Sequence, residues 1–127
     1  MTKNIGPLER KVLEILWLRK QATARDICSD LEECGERRAY STVRTIIKRL
    51  VRKKIISQHI NNDDRIYIYK PILTKPELEK IIIRNTFSNL LNRFEQSTIN
   101  FLAEELSDNE DEIKRIKQKI SEMKDNE

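Results

Sequence analysis

Apolar residues recur at three- and four-residue spacing along most of this chain, give way once to a short alternation, and then resume the helical spacing. Over about 7–20, Leu8, Val12, Ile15, Leu16 and Arg19 fall along one helical stripe, since residues three and four apart share a face at 3.6 residues per turn. Pro7 suits the first turn, where its missing N–H would be unpaired in any case. Trp17 reads as a packing residue, in the core or between domains. A second helix is predicted over about 24–33. Thr23-Ala24-Arg25-Asp26 resembles a capping box, with the Thr23 hydroxyl serving a free N–H and Asp26 favoured in the first turn. Ile27, Cys28 and Leu31 supply its buried face. A polar stretch with Gly35 inside it then turns the chain.

A third helix is predicted from about 39–41 to about 53, with Val43, Ile46, Ile47, Leu50 and Val51 making one face apolar. The β-branched run Ile55-Ile56-Ser57-Gln58-His59-Ile60 follows, then Asn61-Asn62-Asp63-Asp64, then Arg65-Ile66-Tyr67-Ile68-Tyr69. Strand, turn chemistry and alternation around Tyr67 and Tyr69 together predict a β-hairpin. Pro71 closes it. Thr74-Lys75-Pro76-Glu77 opens a long helix over about 76–94, capped by Thr74 or Lys75 and marked by Leu78, Ile81, Ile82, Phe87, Leu90, Leu91 and Phe94. A shorter apolar stretch covers 98–106. Ser107-Asp108-Asn109-Glu110 reads as another capping box, ahead of a last helix with Ile113, Ile116 and Ile120 at helical spacing.

Helix, helix, helix, hairpin is the order of a winged helix-turn-helix, with the hairpin as the wing. The predicted fold is therefore mainly α with a small β-hairpin wing: a winged helix-turn-helix domain over 1–72 and a C-terminal three-helix dimerisation domain over 73–127. Three helices with apolar stripes and few loops cannot hide those stripes within one small arm. A second copy is the plainest cover, which predicts a homodimer.

Composition agrees with a helical protein: two Gly and three Pro among 127 residues leave few turns for a sandwich or barrel. No run of 18 apolar residues occurs, and residues 1–6 hold no apolar signal core. The expectation is a cytoplasmic protein without membrane insertion. Cys28 and Cys34, the two cysteines, match no zinc spacing and are too few for a disulfide framework, so two reduced thiols are expected.

Charge changes the picture more. Residues 1–70 hold 16 Lys/Arg against 9 Asp/Glu, a net +7, whereas residues 71–127 carry −3 within the chain's total of +4. A basic half joined to an acidic half points to a polyanion partner for the first half. The basic charge concentrates on the third helix. Arg44, Lys48, Arg49, Arg52, Lys53 and Lys54 lie between Ser41 and Lys54 with no acid among them, whereas a solvated face ordinarily mixes signs. Cations on one helix face neutralise phosphates and release counterions, while Thr and Arg near its N-terminal end reach base edges in the major groove. Ser41, Thr42, Arg44 and Thr45 are assigned to the groove side, Lys48, Arg49 and Arg52 to the backbone, and Arg65 on the wing to an adjacent phosphate or the minor groove. The competing reading is a surface helix that happens to be basic, and the hairpin behind it weighs against that.

Catalytic chemistry is not indicated. His59, the single histidine, lies in the wing without triad neighbours. There is no Gly-rich phosphate loop and no metal-ligand spacing, so neither an enzyme nor a cofactor or metal site is expected.

Three stretches carry a family likeness: Leu8-Glu9-Arg10-Lys11-Val12-Leu13-Glu14-Ile15-Leu16-Trp17, Ala22-Thr23-Ala24-Arg25-Asp26-Ile27 and Ala39-Tyr40-Ser41-Thr42-Val43-Arg44-Thr45-Ile46-Ile47-Lys48-Arg49-Leu50. They resemble the penicillinase-repressor (BlaI/MecI/CopY) family of winged-helix transcriptional regulators, and Arg65-Ile66-Tyr67-Ile68-Tyr69-Lys70-Pro71 continues the match. The resemblance covers essentially the whole chain. It implies a homodimeric repressor on palindromic operator DNA, of the kind that controls β-lactam-resistance genes. It also implies relief by proteolysis between an Asn and a Phe, driven by a membrane-sensor protease signal. Thr98-Ile99-Asn100-Phe101-Leu102 falls at the matching place, making Asn100–Phe101 the candidate scissile bond. Copper-responsive members carry a cysteine-rich C-terminal metal site, and residues 114–127 hold no Cys. Two departures stand out: Lys54 occupies the place where a Gly often ends the third helix, at a cost of ~1 kcal/mol if the left-handed cap is kept, and the wing turn lacks its usual Gly. Two alternatives stay open, a same-fold repressor answering a metal, redox or small-ligand signal, and a winged-helix protein-interaction module without DNA function.

Overall fold

The computed structural model describes residues 5–125, and the outermost positions of both expected domains, 1–4 and 126–127, lie outside the described residues. The elements run α1 (Pro7–Arg19), α2 (Ala24–Glu33), α3 (Tyr40–Arg52), β1 (Ile56–Ile60), β2 (Tyr67–Pro71), α4 (Lys75–Arg93), α5 (Glu95–Leu106) and α6 (Glu110–Asp125). The mainly helical fold with one antiparallel hairpin is thus the expected one. Two compact units form, Met1–Lys80 and Ile81–Glu127, dividing inside α4.

In the first unit α1, α2 and α3 enclose a core of Val12, Leu13, Leu16, Ile27, Leu31, Val43, Ile47 and Leu50, each at most 1% exposed. Burying one such side chain contributes roughly 1.5–3 kcal/mol. The α1 face differs from expectation. Leu13 is fully buried, Leu8 is half-buried and Arg19 is exposed. Packed against both α2 and α3, α1 needs a wider apolar arc than a single stripe. Arg19 instead leaves the stripe to reach Asp30 of α2, its Nη2 donating to Oδ1 at 2.8 Å. Cys28, expected in the core, is half-buried beside a surface cleft.

Local chemistry sets the helix ends. Thr23 and Asp26 form the expected capping box: the Asp26 N–H donates to Thr23 Oγ1 at 3.1 Å, and the Thr23 N–H donates to Asp26 Oδ2 at 3.0 Å. Thr74, one of the two candidate caps of α4, accepts from the Glu77 N–H while Glu77 Oε1 accepts from the Thr74 N–H. α2 ends on Gly35 at φ 78°, where Glu36 N–H donates to Leu31 O at 2.8 Å. α3 ends by the same device, with Lys54 at φ 62° and Ile55 N–H donating to Leu50 O at 3.1 Å. The left-handed cap is kept although a lysine occupies it. The cap of α6 is a correction. Asn109, not Ser107, accepts from the N–H groups of Asp111 and Glu112, because the helix begins at Glu110. Ser107 stands outside and accepts from Asn109 N–H.

The hairpin pairs Ile56 with Pro71 through Ile60 with Tyr67. Arg65 and Ile66, expected to start the second strand, belong to the turn, where Arg65 adopts φ 59° and donates its N–H to Asn61 O at 2.7 Å. Without a glycine, the turn makes its left-handed residue an arginine. Pro71 takes the last strand position, tolerable for a residue with no N–H at a strand end. Tyr67 and Tyr69 share a face, yet Tyr69 is 3% exposed and Tyr67 42%. The base of the hairpin rests on the core through Ile55, Ile56 and Tyr69, while the tip projects past it. Ala22, between α1 and α2, adds a third backbone partner, bonding Tyr69 in both directions at 2.8 and 3.0 Å. Trp17 closes the hairpin's exit by donating Nε1–H to Leu73 O at 2.9 Å.

In the second unit Leu91, Ile99 and Ile120 form a small core, with Leu102 and Ile116 packed against it. α5 starts at Glu95, earlier than the apolar stretch suggests. Ile83, Phe94, Phe101 and Leu106 are each more than half exposed in the single chain.

Candidate nucleic-acid interface

On α3 the inward face is Val43, Ile46, Ile47 and Leu50. The 3.6-residue period then places Ser41, Thr45, Lys48 and Arg52 in a row on the opposite side, and all four are exposed. Thr42 and Arg49 occupy one shoulder of that row, both exposed, and Arg44 the other, half-buried. The Thr45 hydroxyl donates to Ser41 O at 3.0 Å, and the side chain is exposed. No acid lies on α3. This row is long enough, at roughly 1.5 Å per residue, to lie along a nucleic-acid groove, and its charge suits a polyanion.

The two shoulders of α3 differ in surroundings. Arg44 borders a cleft of about 340 Å³ that also receives Arg25 from α2, Arg65 from the wing turn, and the Tyr40 and Tyr67 rings. The arrangement brings Arg44 and Arg65 together. Arg25 and Arg44 lie 5.4 and 6.0 Å from the Tyr40 ring centroid, within cation–π range. Burial pushes the Tyr69 phenol up from its usual pKa, and nearby Arg44 pulls the other way, so this hydroxyl stays neutral and structural. On the far side of Tyr40 lies a broader cleft of about 810 Å³ bordered by Arg37 and Arg38. Arg38 pairs with Glu36 at 3.1 Å, and Lys11 bonds the same carboxylate. The Asp63 and Asp64 side of the wing turn is exposed and acidic, so Arg65 marks the side of the wing able to face an anion.

Sequence reasoning missed Arg25, Arg37, Arg38, Tyr40 and Tyr67. Arg25 lies inside a capping box whose signal is carried by its neighbours. Arg37 and Arg38 belong to a turn rather than to a periodic run. Tyr40 carries no signal beyond an aromatic ring at the start of a basic helix, and only packing brings it against Arg25.

Asn100 and Phe101 sit in the middle of α5, both exposed, Phe101 at 62%. Their neighbours Ile99 and Ala103 are buried. Among the described residues no group of three or more His, Cys, Asp or Glu could hold a metal ion, and no helix is long and apolar enough to cross a membrane. His59 is exposed on β1, its Nε2 2.8 Å from Ser57 Oγ. Burial raises the Cys28 thiol above its usual pKa, which keeps it protonated and slow to react.

The family model described as Penicillinase repressor matches residues 5–122. A Methicillin resistance regulatory protein MecI from Mammaliicoccus sciuri is 30% identical over 124 residues, covering 91% of this chain and 92% of that protein. The Transcriptional regulator BlaI of Mycobacterium tuberculosis is 38% identical over 76 residues, covering 59% of this chain and 53% of that protein. A solution structure of the DNA binding domain of the repressor BlaI superposes with a TM-score of 0.51 at 20% identity, over 61% of this chain and 93% of that one. At that identity the likeness is one of fold.

Proposed function

The chain belongs to the penicillinase repressor family, and on that premise we propose that it is a dimeric transcriptional repressor that occupies palindromic operator DNA. The observation that carries the reading is the acid-free outer face of α3 beside a wing that brings Arg65 to the same side. Residues 1–72 are the DNA-binding part and 73–127 the dimerisation part. Ser41, Thr42, Arg44 and Thr45 enter the major groove, Lys48, Arg49 and Arg52 neutralise phosphates, and Arg65 meets the backbone or minor groove beside them. No enzymatic step is assigned to the chain.

Two identical recognition helices read a palindrome because the protein's two-fold axis matches that of the site. The exposed Ile83, Phe94, Phe101 and Leu106 favour a second copy as their cover, since the small core of Leu91, Ile99 and Ile120 leaves these large apolar side chains of the second unit in water. Relief by a cut at Asn100–Phe101 fits this arrangement. A break there severs α5 between Ile99 and Ala103, removing the element that packs on α6, so the dimer weakens and each half binds DNA too poorly to repress. Since the bond lies inside a helix, cleavage requires α5 to open locally first. The regulated genes would then be those of β-lactam resistance, and the signal a membrane sensor's protease system. A metal or redox input is less well supported by a protonated, half-buried Cys28.

A footprint of the purified protein on DNA upstream of its own gene, at two salt concentrations, tests the proposal. A protected palindrome with half-sites one or more helical turns apart, about 10–10.5 base pairs each, is expected. No protection at either salt overturns the repressor reading and favours a protein-interaction module.

A further inference from the structure

Three arginines from three separate elements meet at one cleft, and like charges brought together repel unless something between them offsets it. Arg25 lies in the first turn of α2, Arg44 one turn into α3, and Arg65 at the wing turn. None of the three makes an ion pair with a carboxylate among the described residues. What two of them share is an aromatic ring: both Arg25 and Arg44 lie within 6.0 Å of the Tyr40 centroid. The negative face of the ring attracts each guanidinium, and its planar body restricts side chains that would otherwise sample many rotamers in water. Tyr40 itself is 42% exposed, so it supports no large part of the core.

We propose that Tyr40 is a positioning residue of the DNA interface, holding Arg25 of α2 and Arg44 of α3 on one ring so that both meet the DNA backbone or groove edge in fixed register. The inference rests on the DNA-binding reading and deepens it. It adds Arg25 to the residues that touch DNA and explains how an arginine from the helix before the recognition helix is aimed at the same strand. Without the ring, the two guanidinium groups stay mobile and are no longer held in register with their phosphates, so the charge contacts they would make, and the counterions those contacts release, are lost.

Phosphate binding is independent of sequence, so a labelled mixed-sequence duplex is a sufficient probe. Binding of the full chain is followed across a salt series for the unmodified protein and for Tyr40→Leu, Tyr40→Phe, Arg25→Ala and Tyr40→Leu/Arg25→Ala, each checked for an unchanged thermal unfolding midpoint. Tyr40→Leu, which keeps apolar bulk and loses the ring, is expected to flatten the dependence of log K on log salt by about 0.9 for each phosphate that is no longer neutralised. Tyr40→Phe, which keeps the ring, is expected to restore the unmodified slope. Arg25→Ala is expected to flatten the slope alone but to change little once Tyr40 is already leucine, because the two act as a unit. An unchanged slope in Tyr40→Leu overturns the positioning role, as does a fall in Tyr40→Phe as large as in Tyr40→Leu, which would assign the effect to the hydroxyl. Should Tyr40→Leu not fold, Arg25→Ala still decides, since an unchanged slope there removes Arg25 from the DNA interface and overturns the inference. No salt-dependent binding by the unmodified chain would fail the DNA-binding reading itself, and this inference with it.

Discussion

The cations of α3 do not share one environment, and that difference separates their expected roles. Arg44 is half-buried on the shoulder facing the wing, beside Tyr40 and Tyr69. Arg49 is exposed on the opposite shoulder. A held guanidinium can discriminate between base edges, while a free one neutralises charge. Arg44→Ala is therefore expected to lower binding to the operator by ~1–3 kcal/mol while affecting random DNA less, and Arg49→Ala to weaken both alike and reduce the salt slope by about one. Parallel salt titrations on operator and random duplexes check this, and identical behaviour of the two variants would end the division of roles. The charges of both residues were legible in the sequence. Their unequal burial was not, because it depends on what α2 and the wing bring alongside.

Elements meet at junctions where local backbone conformation does the deciding. The passage from α3 into the wing turns on Lys54, a lysine at φ 62°. There the L side chain incurs a strain of ~1–2 kcal/mol that glycine avoids. Its position is held by Ile55 N–H on Leu50 O and by the burial of both Ile55 and Leu50. Lys54→Gly is expected to stabilise the first unit by about 0.5–1 kcal/mol, the strain relieved being partly offset by glycine's greater chain entropy. Denaturant unfolding measures it, and a fall in stability would mean that the Lys54 side chain makes an interaction worth more than the strain. The left-handed position at this site was expected from the family likeness, in which a glycine often ends the third helix. The third strand partner, Ala22, was not visible, since a single residue between two helices offers no periodicity to read.

For the whole molecule, several carboxylates of the first unit are held below their ordinary pKa. Arg19 does this to Asp30, Lys11 to Glu36, and the Thr74 cap to Glu77. A carboxyl whose folded pKa is depressed releases its proton more readily when folded. Its contribution is complete above the unfolded value, near ~4, and is lost as pH falls through the folded one. Stability is therefore expected to be flat at neutral pH and to decline as the solution is acidified below about pH 4, with Asp30→Asn flattening part of that decline. These groups are largely solvated, so the slope should be shallow and reduced by salt. Unfolding midpoints across a pH series at two salt concentrations test it, and a rise in stability on acidification would contradict the assignment. A concentration-dependent midpoint would in addition support a second copy as the cover for Ile83, Phe94, Phe101 and Leu106.

The sequence alone determined the order of the elements, the winged-helix class and the basic face of α3. Each is a local property: periodicities of 3.6 and 2, caps within four residues, and charges on one helix travel with the chain wherever it goes. Tertiary structure alone decided that Leu13 is core and Arg19 is not, and that Tyr69 is buried while Tyr67 is bare. It also decided that Arg25, Tyr40, Arg44 and Arg65 share one cleft. These outcomes depend on residues many positions apart arriving at one place, and burial and charge–ring attraction act on distance in space, which spacing along the chain does not encode.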